Sequence, residues 1–328
     1  MIRKSDYENY DYRQFWEDNK RAYEDKAERL VIKKFFTGIS QKDKVFADFG
    51  CGFGRLFEEY AGFERIIMID YSLNNLKNAK KLITGYLKKE NNLKMLEKIF
   101  FVLADVNNLP LKNGILDACL TVRVIHHLPE PEKFFSEVSR VIKPQGLFFI
   151  EFANKRNLKN ILRFIFGRMK GSPFNTKPYQ VGETILDYHP GYIKSLLKNL
   201  NFKIIRQVSA SNFRLNFFKK NINLRVLLFF ENLYQNLFSF MDLGPSIFLK
   251  TIFNPGTANN LKQEEFYKAL GQDKASGQDM PAENNEKVKF EKLFICPACK
   301  SDLRFKIIIS CSKCERQYPV TEGILIFN

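Results

Sequence analysis

At 328 residues, with 45% hydrophobic and 27% charged residues, the chain has the balance of a soluble globular protein and can bury a full α/β core with room for a second module. Met1-Ile-Arg-Lys-Ser-Asp-Tyr7 runs straight into charge, which argues against a signal peptide. The most apolar later stretch, Leu224 to Leu243, contains Arg225, Glu231 and Asp242 and is too broken for a membrane span of about 20 apolar residues, so a cytoplasmic protein is expected. The formal charge of +16 fits an anionic partner such as RNA, a phosphorylated metabolite or a membrane surface. It fits equally the Lys-, Asn-, Ile- and Phe-rich composition of an AT-rich genome. The lysines are scattered without a long basic run, which favours that compositional reading.

In chain order, residues 7–36 read as an amphipathic helical block, an N-terminal cap over residues 1–44 that packs on or beside a cleft, with Trp16 a core residue rather than a lid. From Val45 strands alternate with helices, the pattern of a parallel sheet covered on both faces. Strands are expected at 45–49, 65–70, 99–103, 116–122 and 147–152, with helices at about 73–87 and 131–141. A basic helix at about 158–166 precedes a Gly- and Pro-rich loop or lid at 167–182. A helix at 190–200, a strand at 202–209, a long aromatic helix at about 222–243 and a strand near 247–252 complete a seven-stranded, mostly parallel, Rossmann-like sheet over residues 45–254. Residues 255–288 are polar, nearly free of aromatics and read as a flexible linker. The remaining residues, 289–328, form a small β module.

Val45-Phe-Ala-Asp48-Phe-Gly50-Cys51-Gly52-Phe-Gly54-Arg55 carries the most chemistry. A buried strand ends in an acid, and three alternate glycines follow, a turn that lets backbone approach a ligand closely. Leu56 to Tyr60 then open a helix. The dinucleotide fingerprint needs its third glycine at position 55, which is arginine here, and the P-loop lysine is absent. Two acids follow at strand ends. Asp70, at the end of the second strand, is placed to accept from ribose hydroxyls, with Ser72 as the cap of the next helix. Asp105 ends the third in Val102-Leu-Ala-Asp105-Val106. Leu109-Pro-Leu, Ile115-Leu-Asp117 and Val122-Arg123-Val-Ile-His126-His127-Leu-Pro129 follow.

This order of motifs, over about residues 20–255, resembles the class I S-adenosylmethionine-dependent methyltransferases, in particular the branch related to quinone-biosynthesis enzymes. The resemblance implies S-adenosyl-L-methionine as cofactor. It places Asp48, Gly50, Cys51, Gly52 and Gly54 against the methionine moiety and Asp70 and Tyr71 at the ribose. It puts Asp105 and Val106 at the adenine, with Val122 beside them. His126 is the candidate general base ahead of His127, although a base is needed only where the acceptor must lose a proton, and Arg123 is a second candidate catalytic residue and acceptor contact. Acceptor contacts are expected from Glu151, Asn154, Lys155 and Arg156 after the fifth strand, and from Tyr188 and His189. Three readings of the acceptor stay open: a small molecule, lipid or glycan precursor first, RNA second, and a non-catalytic cofactor-binding scaffold third. The sequence points to no obligate protein partner.

Four of the six cysteines cluster at the end, as Cys296-Pro-Ala-Cys299 and Cys311-Ser-Lys-Cys314. Two such knuckles around a hairpin supply four thiolates to one tetrahedral ion, a set that suits a structural Zn2+ best, with rubredoxin-like iron the alternative. The wording around them, through Tyr318-Pro-Val-Thr-Glu-Gly323-Ile-Leu325, resembles the small zinc-ribbon protein that activates tRNA, rRNA and release-factor methyltransferases, with Leu325 where proline is usual. The resemblance implies a fused stabilising or substrate-docking module.

Overall fold

The computed structural model describes residues 11–16, 21–255, 292–306 and 308–327. The expected linker lies outside the described residues. The first helix, α1 (Ala22–Phe36), precedes β1 (Val45–Phe49), β2 (Arg65–Asp70), α2 (Leu73–Lys89), β3 (Ile99–Leu103), β4 (Leu116–Thr121), α3 (Pro131–Val141) and β5 (Ile142–Ala153). Then come α4 (Leu158–Ile165), the hairpin β6 (Tyr179–Val181) and β7 (Ile185–Asp187), α5 (Pro190–Asn199) and β8 (Phe202–Ala210). The short α6 (Asn216–Asn221), α7 (Leu224–Leu237) and β9 (Ser246–Phe253) end the main unit. The cysteine segment adds β10 (Leu303–Phe305), β11 (Ile309–Cys311), β12 (Gln317–Tyr318), β13 (Val320–Thr321) and β14 (Ile324–Ile326).

The central sheet runs β13-β14-β3-β2-β1-β4-β5-β9-β8. Its inner strands are parallel, and β9 is antiparallel to both β5 and β8. This is a Rossmann-like α/β fold whose strand order reverses between β1 and β4. The parallel strands are apolar on both faces, and their side chains alternate between two cores. Ala47, Phe49, Ile67 and Ile69 pack with α3, α5 and the cysteine segment, whereas Phe46, Ile66 and Met68 pack with α1 and α2. The crevice at the carboxyl ends of β1 and β4 is where such sheets take ligands.

The seven strands expected over residues 45–254 are present as β1–β5, β8 and β9, and the cysteine segment extends the sheet to nine: β14 pairs in parallel with β3, Leu325 opposite Val102, and so covers the sheet edge. The tail is thus not a wholly separate β module: β10, β11 and β12 form a small sheet of their own, while the last turn of chain belongs to the main one. No α-helix follows the glycine turn; a single 3-10 turn, Phe57–Glu59, stands there. Phe57, Tyr60 and Phe63, three apart, are all buried, which is the spacing of a three-residue turn and not of an α-helix. The long aromatic helix stops at Leu237, with a 3-10 turn, Ser239–Met241, ending in left-handed Asp242.

Candidate functional site

The glycine turn is tied to the end of β2. Gly50 and Cys51 N–H groups both donate to the Ile69 carbonyl, at 2.7 and 3.0 Å. Asp70, buried, accepts from Gly52 N–H at 2.8 Å and from Ser72 N–H at 2.9 Å. Gly50 has φ +73°, and a Cβ there would lie 2.2 Å from Val124 Cγ2, so the turn is folded tightly onto the loop after β4. Asp48 lies beneath the turn, where burial pushes its carboxyl up to about 7 against the pull of the Tyr60 hydroxyl, which donates to it at 2.5 Å. Burial also holds the Cys51 thiol well above its ordinary range, with Asp70 and Asp48 adding to the effect, so it stays protonated and is no nucleophile.

One cavity opens at the reversal point of the sheet. It is lined by Asp48, Gly50, Cys51 and Gly52 from the turn, Asp70 and Tyr71 after β2, Asp105 and Val106 after β3, and Val122 and Arg123 after β4. Gly54 is not among its walls. A Cβ there would meet Ala79 and Ile83 at 3.3 Å, so its hydrogen lets α2 pack against the turn. The cavity also takes in Tyr12, Phe53, Arg55, Leu56, Asn75, Asn107, Val124, His127 and Leu128, none of which the motifs single out for the cofactor. Asp105 is exposed, and accepts from the Asn107 N–H and side-chain amide at 2.9 and 3.0 Å.

Arg123 is in the left-handed region, φ +61°, with its N–H donating to the buried Glu151 carboxylate at 2.8 Å. Its guanidinium bonds the fully buried Glu28 of α1, Nε to Oε1 at 2.9 Å. Arg55 donates to the other oxygen of Glu28 at 2.5 Å and lies 4.0 Å over the Trp16 ring. Burial alone would raise the Glu28 carboxyl, but Arg123 and Arg55 outweigh it and hold the group below its ordinary range. The N-terminal segment therefore sits against the cavity through one buried carboxylate shared by two arginines, and Trp16 is part of that cap. Sequence spacing gives no hint of this pairing, because Glu28 and Arg123 are 95 residues apart.

His126 and His127 differ in position. His127 reaches the cavity, and its Nδ1 donates to the Thr184 carbonyl at 3.0 Å. Burial lowers its pKa. His126 is outside the lining, with Nδ1 buried and unpartnered among the described residues; burial, then His127 and Arg123, push its pKa well below the ordinary value. Of the pair, only His127 is placed to touch a bound molecule.

The expected acceptor residues serve the scaffold. Asn154 is fully buried, donating to the Asp242 and Gly244 carbonyls at 2.8 Å. Arg156 pairs with Asp242 at 3.4 Å. The Tyr188 hydroxyl donates to the Leu128 carbonyl, and His189 caps α5 by accepting from Gly191 N–H at 3.1 Å. Lys155 donates to the Lys177 carbonyl at 2.6 Å and ties down the 167–182 loop. Polar side chains at a strand end were read as reaching into the cleft, whereas Asn154, Lys155, Tyr188 and His189 satisfy backbone groups of the segments crossing there and Arg156 pairs with Asp242.

The four tail cysteines converge. Their sulfurs all lie within 4.8 Å of one another, with Cys296 to Cys314 at 3.6 Å and Cys299 to Cys311 at 3.3 Å. A tetrahedral ion with bonds of about 2.3 Å to thiolate sets sulfurs about 3.8 Å apart, so these residues can hold one with all four positions filled. The segment grips the loop that carries Asp105. Phe327 N–H donates to the Leu103 carbonyl at 2.8 Å, Ile295 N–H to Pro110 at 3.0 Å, and Lys112 N–H to Leu293 at 3.0 Å. Lys300 Nζ donates to Asn108 Oδ1 at 2.7 Å and lies 3.3 Å from Glu137, which itself accepts from Leu109 N–H at 2.7 Å.

Comparison with known proteins agrees with this geometry. The family described as "Methyltransferase domain" matches residues 47–150, the stretch from β1 through β5 that supplies the turn and the strand ends. An uncharacterized chloroplastic methyltransferase of Arabidopsis thaliana is 38% identical over 104 residues, covering 31% of this chain and 28% of its own. Norajmaline N-methyltransferase of Rauvolfia serpentina is 31% identical over 131 residues, 40% of this chain and 43% of its own. The chain therefore spans under a third of the first relative's length and under half of the second's. Among solved structures, a chain from the complex of the Haloferax volcanii Trm112 methyltransferase activator with a methyltransferase aligns at TM-score 0.49 and 13% identity, covering 75% of this chain and 97% of that one. The matched residues 47–150 leave out α1, the loop after β5 and the cysteine segment.

Proposed function

We propose that the protein is a class I S-adenosylmethionine-dependent methyltransferase acting on a small-molecule or lipid-borne acceptor, with its cysteine segment holding a structural zinc ion. The observation that carries this reading is the cavity at the reversal point of the sheet, walled by a glycine turn and by acids at the ends of β2 and β3. Asp70 accepts from the ribose hydroxyls while keeping its hold on Gly52. Asp105 accepts from the adenine amino group, with Val106 against the ring. The Gly50–Gly52 backbone lies along the methionine moiety, and Asp48 supports the turn from below. When bound, S-adenosylmethionine supplies a methyl on a cationic sulfur, and catalysis consists of aligning an acceptor atom with it in a water-poor cleft. His127, which lines the cavity, is placed to take the proton of an acceptor that must lose one, in place of His126. Arg123, held by Glu28, fixes the shape of the acceptor side, whose other walls, Tyr12, Phe53, Val124 and Leu128, favour an amphipathic small molecule.

The zinc ribbon has a stated role in this reading: it braces the 103–112 loop through backbone bonds on both sides of Asp105, so the metal supports cofactor binding from a distance. Incubation with methyl-labelled S-adenosylmethionine and a cell extract separated into small-molecule, lipid and RNA fractions tests the proposal. Label in small molecules or lipids supports it. Nuclease-sensitive label makes the protein an RNA methyltransferase, and cofactor binding without labelled product makes it a scaffold.

A further inference from the structure

The charge of this chain is not spread evenly. Residues 154–230 hold 15 Lys and Arg against 2 Asp and Glu, a net of +13 out of +16 for the whole chain. From 154 to 182 there are seven cations and no acid. The cations stand singly or in pairs, Lys155-Arg156 and Lys219-Lys220, so no long run betrays them. Lys159, Arg163, Arg168, Lys170 and Lys177 are exposed, and among the described residues none of the five has an acidic partner.

The same region carries apolar surface that no described residue covers. In α4 only Asn160 is buried; Leu158, Leu162, Phe164 and Ile165 are exposed, and Phe166, just past its end, is 70% exposed. Phe164 meets Phe174 of the following loop edge-on at 6.1 Å. A second stripe follows on α7, where Val226, Phe230, Leu233 and Leu237 recur at intervals of four, three and four and are all exposed, opposite the buried Leu227 and Glu231. The stripe continues into Phe238, Phe240 and Met241, and the chain beyond them reaches the start of α4, where Leu158 N–H donates to the Leu243 carbonyl at 2.9 Å. Large exposed apolar patches of this kind mark interaction surfaces.

We propose that this surface, α4 with the 166–182 loop and the outer stripe of α7 down to Met241, docks the protein on an anionic lipid bilayer. Aliphatic and aromatic side chains insert at the level of the headgroups while the interspersed arginines and lysines meet lipid phosphates, the pattern of an interfacial amphipathic helix. No helix among the described residues is long and apolar enough to cross a membrane, so the contact is a surface one. The position favours a lipid partner over a protein or a nucleic acid. The insertion is dominated by Leu, Ile, Val and Phe, residues that bury in acyl chains, and the complementary charge has one sign. The α4 helix also leaves the carboxyl end of β5, beside Glu151 and Arg123, so the docking face opens on the same side of the sheet as the cavity. The proposal stands whether or not methyl transfer is the reaction.

Sedimentation with vesicles of phosphatidylcholine, with and without phosphatidylglycerol, tests it on the full chain. The protein is expected to pellet with the anionic vesicles only. Ile165→Ser/Phe166→Ser lowers vesicle affinity by about tenfold or more through lost apolar insertion. Arg163→Gln/Arg168→Gln lowers it by about thirtyfold, each cation near an anionic surface being worth about a factor of five. All four residues are exposed, and an unchanged circular-dichroism melt confirms that the variants fold. Equal pelleting with neutral vesicles, or full binding by the Ser variant, overturns the proposal. So does tight tRNA binding in a protein that ignores vesicles, which makes the face a nucleic-acid surface. A dimer that the Ser variant converts to monomer, again without vesicle binding, assigns the face to a second copy.

Discussion

Replacing Gly50 with alanine tests the turn at its tightest point. Two costs are expected. At φ +73° a non-glycine residue sits in left-handed backbone, about 1–2 kcal/mol unfavourable. The new Cβ would also overlap Val124 Cγ2, 2.2 Å away, and Val124 is β-branched and cannot swing aside freely. Overpacking of this kind costs about 1–3 kcal/mol. The sum, about 2–5 kcal/mol, lowers the melting temperature by roughly 4–20 °C for a domain of this size. Gly114→Ala is the matched control, because Gly114 has φ +57° with nothing within 4 Å of its added Cβ, so it bears the backbone cost alone. Val124→Ala in the Gly50→Ala background removes the overlap and should recover about 1–3 kcal/mol relative to additivity, a double-mutant cycle read by thermal unfolding. Calorimetric titration with S-adenosylhomocysteine on the same four proteins should show the affinity lost in Gly50→Ala and partly restored in the double variant. The reasoning fails if Gly50→Ala costs no more than Gly114→Ala, or if the double variant is simply additive.

Three further outcomes follow from the site. Glu28→Gln leaves Arg55 and Arg123 without their shared buried charge, and should destabilise the protein by about 3–5 kcal/mol in urea unfolding; a loss under 1 kcal/mol would mean the cluster is solvated. Asp48 is raised in the folded chain to about 7 from an ordinary 3.8, so between those values the folded state holds a proton that the unfolded state has released. Its effect is to make stability fall as pH rises through that window, and Asp48→Asn should flatten the slope in melts taken from pH 4 to 8. Stripping zinc with a chelator should loosen the 103–112 loop and weaken cofactor binding together with the fall in melting temperature. Unchanged S-adenosylhomocysteine affinity in the metal-free protein would confine the ribbon to a role elsewhere.

How much of this was legible in the sequence depends on whether a signal was local. The β1 strand and its glycine turn stand out because every residue of Val45–Phe49 is buried, so the strand reads as an apolar run broken by Asp48 alone. Asp70 and Asp105 are legible for the same reason, each closing a buried strand. The helix expected after the turn was misread because the aromatic spacing of three at Phe57, Tyr60 and Phe63 was not weighed against the helical period. The β14 strand was hidden inside a motif, its Ile-Leu-Ile taken as the end of a zinc ribbon rather than as a sheet edge for β3. Long-range pairings left no local trace at all: Glu28 with Arg123, or Asn154 with the Asp242 and Gly244 carbonyls. The choice of His126 over His127 could not be made from adjacent positions, since the Thr184 carbonyl that orients His127 comes from 57 residues away. Charge misled in the opposite sense. A search for runs found none, while a sum over 154–230 finds most of the net charge of the chain.

The central claim is that the cavity between the glycine turn, Asp70 and Asp105 holds S-adenosylmethionine. Calorimetric titration of the protein with S-adenosylhomocysteine, beside Asp70→Ala and Asp105→Ala, measures it directly. Among the described residues the Asp105 carboxylate accepts from Asn107 alone, so its variant tests the adenine contact without disturbing the glycine turn. One equivalent bound per chain by the natural protein, abolished in Asp70→Ala and weakened in Asp105→Ala with the melting temperature of the latter unchanged, is the predicted result. No binding by the natural protein, or equal affinity in all three, would contradict it.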